Sequence, residues 1–374
     1  MLTTLAVENY RSLRNLRVRL GRTNVITGAN GSGKSSLYRV LRLLADFSRN
    51  GAVAGLAREG GLESTLFAGP GRSGPNVPLL LRVGFAGEDF GYAAELGPLP
   101  PDETMFGRDP EIKTEAVWAG PVLRPSTVLA ERSGPVVRLR DEGGGWGMVP
   151  HTVKAFDSML SELADPQRAP DLLVLRERMR SWRFYDHLRT DVAAPARAPQ
   201  IGTRTMALAH DGADVASALR TIVEIGDAKA LTEAVDHAFP GSRIEIVDHN
   251  GRFELLLRQP KLFRPLAAPE LSDGTLRYLL LAAALLSPRP PQLLVLNEPE
   301  TSLHPELLDP LGRLIARAAE DTQVVVVTHS DELIGVIEEY ADSPTMIELV
   351  KREGATTVAG QALLEEPPWY WPDR

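Results

Sequence analysis

Cysteine is absent from this chain of 374 residues. That excludes disulfides and thiolate metal sites. Long hydrophobic runs are absent too, since the longest, Tyr278 to Leu286, is about half of what a bilayer span needs. The opening MLTTLAVENYRSLRNL has neither an apolar core nor a small-residue cleavage site, so no secretory leader is expected. There is no internal repeat, no sustained heptad pattern and no low-complexity tail. Positive charge is not in surplus: the net charge of -8 argues against indiscriminate coating of nucleic acid, which needs clustered Lys and Arg. These absences lead to the expectation of a soluble, cytoplasmic protein with no membrane partner.

What is present fits a folded core. Hydrophobic residues make up 43% and charged residues 24%, in a chain long enough for one large or two ordinary domains. The strand Asn24 to Gly28 runs into a helix starting near Lys34, where Leu37, Val40, Leu41 and Leu44 mark one buried face. Pro78 to Gly147 reads as an antiparallel sheet, and the stretch from His151 to His237 reads as helical. RIEIVD and RFELLLR form a hairpin about Asn250-Gly251. The helix from Gly274 to Ser287 is apolar almost all round. LLVLNE and QVVVVTH alternate with helices, the pattern of a parallel sheet covered on both faces.

Gly28-Ala29-Asn30-Gly31-Ser32-Gly33-Lys34-Ser35 matches the Walker A pattern in its required context, with a strand before it and an amphipathic helix after it. The glycines let successive N–H groups point at phosphate oxygens, and the helix N-terminus adds its positive dipole end. Lys34 would neutralise the outer phosphates of ATP. The Ser35 hydroxyl offers a ligand for Mg²⁺, and Ser36 completes the loop's exit. An ordinary Gly-rich turn is the plain alternative.

Farther on come Ser272-Asp273-Gly274 at the start of the apolar helix, Glu298 after one strand and His329 after the next. Ser272 alone would be a helix cap, Glu298 alone a strand-end carboxylate, and His329 alone a helix start. In this order, with VENYRSLRNLRVRLGRTNVITGANGSGKSSLYRVLRLL and ELSDGTLRYLLLAAALL, the chain resembles the ABC-type AAA ATPases of the RecF and SMC kind. The resemblance implies an α/β P-loop NTPase fold, an ABC-ATPase head with a mostly parallel core sheet, an antiparallel β subdomain and an inserted helical lobe. It implies one two-lobed domain over 1–374. Residues 1–60 and 288–374 would form the P-loop core, 61–150 the antiparallel region, and 151–287 the helical lobe with the signature helix.

The resemblance further implies an ATP-dependent homodimer. Ser272 and Gly274 of one copy would touch the γ-phosphate held by Lys34 of the other, Glu298 would orient or deprotonate the attacking water, and His329 would sense the γ-phosphate. Glu300 to Leu303 matches the loop that crosses the dimer interface, and Arg11 is placed near the nucleotide. One departure stands out: Asn297 occupies the place of the usual Mg²⁺-binding Asp. An amide oxygen can still accept from a metal-bound water but carries no charge, so slow turnover is expected.

Control of DNA maintenance (DNA repair among its forms) or of a defence partner follows as the expected role. A non-hydrolysing switch that recruits an effector protein stays open beside it. A transporter motor is disfavoured by Asp273 and Thr275, where a transporter signature carries Gly and Gln. DNA contact could use Arg11, Arg14, Arg17, Arg19 and Arg22. It could also use Arg176, Arg178, Arg180, Arg183 and Arg189 with Trp182, Phe184 and Tyr185; the bland reading makes those aromatics core and pairs the arginines.

Overall fold

The structure is a computed structural model that describes residues 1–49, 51–69, 79–100, 105–141, 143–150, 152–163, 165–186, 188–362 and 365–372. His151, the expected start of the helical stretch, lies outside the described residues. β1 (Leu2–Tyr10), β2 (Leu13–Arg19) and β3 (Thr23–Thr27) open the chain, and α1 (Lys34–Phe47) begins at the lysine of the glycine-rich loop. After α2 (Ala52–Arg58) and α3 (Leu62–Thr65) come β4 (Leu81–Gly87), β5 (Phe90–Pro98), β6 (Pro110–Ala119), β7 (Val128–Ser133), β8 (Val136–Arg140) and β9 (Trp146–Met148). Next are α4 (Met159–Glu162), α5 (Pro170–Ser181), β10 (Arg183–Tyr185), β11 (Gln200–Ile201), α6 (Val215–Ile225) and α7 (Ala228–Ala238). β12 (Arg243–His249), β13 (Arg252–Arg258), β14 (Leu266–Ala267), α8 (Asp273–Leu285), β15 (Leu293–Asn297) and α9 (Leu308–Ala318) follow. β16 (Gln323–Val327), α10 (Asp331–Tyr340), β17 (Thr345–Arg352) and β18 (Ala355–Val358) complete the order. Two compact units result: Met1–Gly21, Ile26–Trp182 and Met346–Arg374 form the first, Arg22–Val25 and Arg183–Thr345 the second.

In the first unit eight strands make one antiparallel sheet in the order β2-β1-β4-β5-β6-β7-β8-β9. Its middle strands are buried along nearly their whole length because both faces are covered. On one face Phe47 of α1 meets Tyr92 edge-on, with ring centroids 5.6 Å apart. On the other, Ala6, Ala86, Ala93 and Ala116 form a floor of small side chains under Trp118 and Trp369, whose rings lie 5.7 Å apart. Trp369 thereby packs the closing segment on the sheet.

This sheet also buries charge. Glu115 and Arg132 are fully buried and 3.0 Å apart. Tyr92 Oη donates to Glu115 at 2.6 Å and the Met159 N–H at 2.9 Å. Arg132 donates to the Gly134 and Lys154 carbonyls, both at 2.7 Å. A buried charge is tolerable only with such partners, and removing one leaves the other stranded. Arg132→Ala should therefore cost about 3–5 kcal/mol in urea unfolding.

In the second unit β10, β15 and β16 run parallel, with Val295 between Phe184 and Val325. The runs LLVL and VVVV are wholly buried, and Leu294, Leu296, Val324 and Val326 join a core with side chains of α6, α8, α9 and α10. Arg22–Val25 lies along β16: the Val324 N–H donates to Arg22 O at 2.9 Å, and Asn24 Nδ2 to Val324 O at 3.1 Å. β11, β12, β13 and β14 make a small antiparallel sheet, and its hairpin turns at Asn250-Gly251 as expected. Among the described residues no helix is long and apolar enough to cross a membrane.

Candidate functional site

The first unit carries the glycine-rich loop. Gly28 and Gly33 adopt φ values of 138° and 115°, a region closed to most side chains. Space forbids one as well: a Cβ on Gly28 would strike the Leu349 carbonyl of β17, and one on Gly33 would strike the Thr356 hydroxyl of β18. Thr356, fully buried, donates through Oγ1 to Ser32 O at 2.7 Å and also meets Ser12 Oγ at 2.8 Å. Lys34 Nζ folds back onto the Gly28 carbonyl at 2.5 Å and the Ala29 carbonyl at 3.3 Å.

Ser32 Oγ is buried with no hydrogen-bond partner among the described residues. The N-terminus of α1 has no side-chain cap, so its first N–H groups stay available to an anion. Asn30, Gly31 and Ser35 are exposed there, and Ser36 is half-buried.

Arg11 has a carboxylate partner. Its guanidinium donates to Glu59 Oε2 at 2.6 and 3.0 Å, and Tyr10 Oη donates to the same oxygen at 2.6 Å. Burial together with Glu59 pushes the Tyr10 phenol up. Arg39 of α1 stands 3.9 Å from Glu59, so three residues share one carboxylate.

The second unit carries the remaining expected residues. Ser272 caps α8 by accepting from the Thr275 N–H at 3.1 Å, and it is exposed. Asp273 is paired with Arg197 at 2.7 Å. The same nearly buried arginine donates to the Ala268 and Leu271 carbonyls, both at 2.8 Å. The acid that departs from a transporter signature thus has a structural reason here. Gly274 packs tightly against the turn after β15, since a Cβ there would lie 2.9 Å from Ser302 O.

The parallel register Asn297↔Val327 sets the ends of β15 and β16 side by side. Glu298 follows with φ 47°, a left-handed conformation unusual for a carboxylate residue, and Ser302 repeats it at 66°. Each such residue costs about 1–3 kcal/mol unless its surroundings hold it. Arg277 of α8 supplies the hold by donating to Glu298 O at 3.1 Å, Pro299 O at 3.3 Å and Leu188 O at 3.2 Å. Burial lowers the pKa of this guanidinium, while Glu300 and Glu298 oppose that. His329 Nδ1 lies 4.0 Å from Glu298 and 3.4 Å from Glu300. The register therefore brings together Asn297, Glu298 and His329, three of the residues the motif order singles out.

The second basic stretch behaves otherwise. Trp182, Phe184 and Tyr185 are buried and present no face for base stacking. Arg176, Arg178, Arg180 and Arg189 pair with Glu177, Asp89, Glu177 and Asp191. In the first stretch, Arg14 and Arg19 are exposed.

Comparison with known proteins supplies the frame. Residues 149–335 match the family model described as "AAA domain, putative AbiEii toxin, Type IV TA system", and residues 1–67 match an AAA ATPase domain model. The chain belongs to the AAA-domain ATPase family. No curated protein matches its sequence. The fold is that of SMC head domains. An SMC head bound to the C-winged helix domain of ScpA matches at 16% identity and TM-score 0.54, over 97% of this chain and 99% of that one. The SMC head from Pyrococcus furiosus with an extended coiled coil, bound to the C-terminal domain of ScpA, matches at 14% identity and TM-score 0.53, over 97% of both chains.

The Ser35 hydroxyl, exposed beside the loop, is the kind of neutral oxygen that Mg²⁺ takes when phosphates and water supply its other ligands. Among the described residues no group of three or more His, Cys, Asp or Glu could hold a metal by itself. Motif reading missed Thr356, Arg197 and Arg277, none of which carries a local signal, and it took Glu300 only as the first residue of the interface loop. Thr356→Val should weaken binding of a non-hydrolysable ATP analogue about tenfold by calorimetry, since it removes the hydroxyl that donates to Ser32 O in the loop.

Proposed function

We propose that this ATPase hydrolyses ATP slowly with Mg²⁺, and that two copies close around shared ATP to control DNA maintenance or a defence partner. The observation that carries the reading is the strand end at Glu298. Its carboxylate is 45% exposed, its backbone is braced in a strained conformation by Arg277, and His329 stands beside it. A half-exposed carboxylate on a rigid mount suits a group that must meet and orient a water. Lys34 and the N–H groups at the start of α1 would take the phosphates, with Asn30, Gly31, Ser32 and Ser36 lining the loop. Mg²⁺, when bound, would neutralise phosphate charge, with Ser35 as ligand and Asn297 holding one of its waters. Ser272, exposed at the start of α8, would contact with Gly274 the nucleotide held by the other copy. The toxin–antitoxin wording of the family description supports a defence partner. The exposed Arg14 and Arg19 leave a small basic surface for DNA.

Asn297 favours a second reading, a non-hydrolysing switch in which ATP binding alone recruits an effector. Turnover separates the two. Glu298→Gln should lower the Mg²⁺-dependent rate by about a hundredfold or more, and it should trap a dimer on sizing with ATP. Asn297→Asp should raise the rate about tenfold, because a carboxylate holds the metal's water more firmly. Turnover that survives Glu298→Gln would remove the hydrolytic reading. Single molecules at every protein concentration would remove the dimer.

A further inference from the structure

Of the two carboxylates in Asn297-Glu298-Pro299-Glu300, the less exposed opens the segment expected at the dimer interface, yet its side chain faces inward. The Glu300 side chain is 8% exposed, whereas that of Glu298 is 45% exposed. Burying a carboxylate costs several kcal/mol unless hydrogen bonds replace its water. Glu300 Oε1 finds two donors at the end of the adjacent strand β16, the Thr328 hydroxyl at 2.6 Å and the His329 N–H at 3.2 Å. His329 Nδ1 lies 3.4 Å from the same oxygen. Oε2 is buried with no hydrogen-bond partner among the described residues, so the carboxylate is retained in spite of an uncompensated oxygen. Glu298 stands 4.0 Å from the same Nδ1, beyond hydrogen-bond reach.

We infer that Glu300 is a positioning residue for His329: through the Thr328 hydroxyl and the His329 N–H it fixes the end of β16, and it stands against Nδ1, so that Nε2 is left as the nitrogen that meets substrate. The inference rests on the reading of His329 as the γ-phosphate contact. The two acids divide the work. Glu300 faces inward and orients the histidine, which leaves Glu298 free for water. Thr328 completes the arrangement by holding Glu300 with its hydroxyl, and its own backbone continues into His329. The ring of a histidine is set by whatever its second nitrogen bonds, and loss of that partner commonly costs about 10–100-fold in activity.

The test reads the ring directly. Two-bond nitrogen–proton NMR of the imidazoles, with His329 assigned by signal loss in His329→Gln, reports the ring's surroundings. Glu300→Gln should displace the His329 ring signals. Thr328→Val should do so more weakly, and it covers the case in which the first variant folds poorly. Kinetically, Glu300→Gln should lower kcat about 10–100-fold with KM for ATP little changed. In a His329→Gln background it should add no further loss. Unaltered His329 signals in both variants, or fully additive kinetic losses, would overturn the inference. If the ring shifts while Glu298→Gln leaves turnover intact, the hydrolytic reading fails and the positioning role stands.

Discussion

The buried guanidinium of Arg277 is the tie on which the second unit's reactive turn depends. Left-handed backbone at Glu298 and Ser302 is costly and persists only where something over-determines it. Arg277 does so by bonding two successive carbonyls of the turn from one turn beyond Gly274 on α8. An arginine buried this way loses hydration, and the negative field of Glu298 and Glu300 offsets part of that loss. The exposed serine-capped end of α8 and the carboxylate turn are thus parts of one braced piece. Gly274 lets the two come close enough for the bonds to form, because no Cβ stands between it and Ser302 O.

The glycine-rich loop in the first unit depends on support of another kind. Its glycines allow the curl, and Thr356 of β18 holds it by donating to Ser32 O. A hydroxyl suits that place, since it fixes backbone without adding charge. Glu59 gathers Arg11, Tyr10 and Arg39 nearby, so Arg11 already has a carboxylate partner in this structure.

Much of the fold was legible because its periodicities were strong. The α1 stripe of Leu37, Val40, Leu41 and Leu44 is fully buried, and the continuous runs before Asn297 and Thr328 are parallel strands. The hairpin at Asn250-Gly251 could be read from two residues. The pairing of β1 with β4 could not, because nothing in either strand encodes a partner some eighty residues away. The basic and aromatic stretch around Trp182 was ambiguous for a related reason. Composition alone does not say which way a ring points, and burial settled it.

By itself the sequence determined the residue types at the expected positions: the glycines and Lys34 of the loop, the Ser272 cap, and an amide followed by a carboxylate at a strand end. These are local, since spacing along one element decides them. Tertiary structure alone decided what holds them in place, namely Thr356 under the loop, Arg197 on Asp273, Arg277 on the turn, and Glu300 on His329. Those contacts join residues that lie far apart in the chain or sit at the ends of adjacent strands. The physical reason is that a hydrogen bond needs distance and direction, and both come from how elements pack rather than from their order.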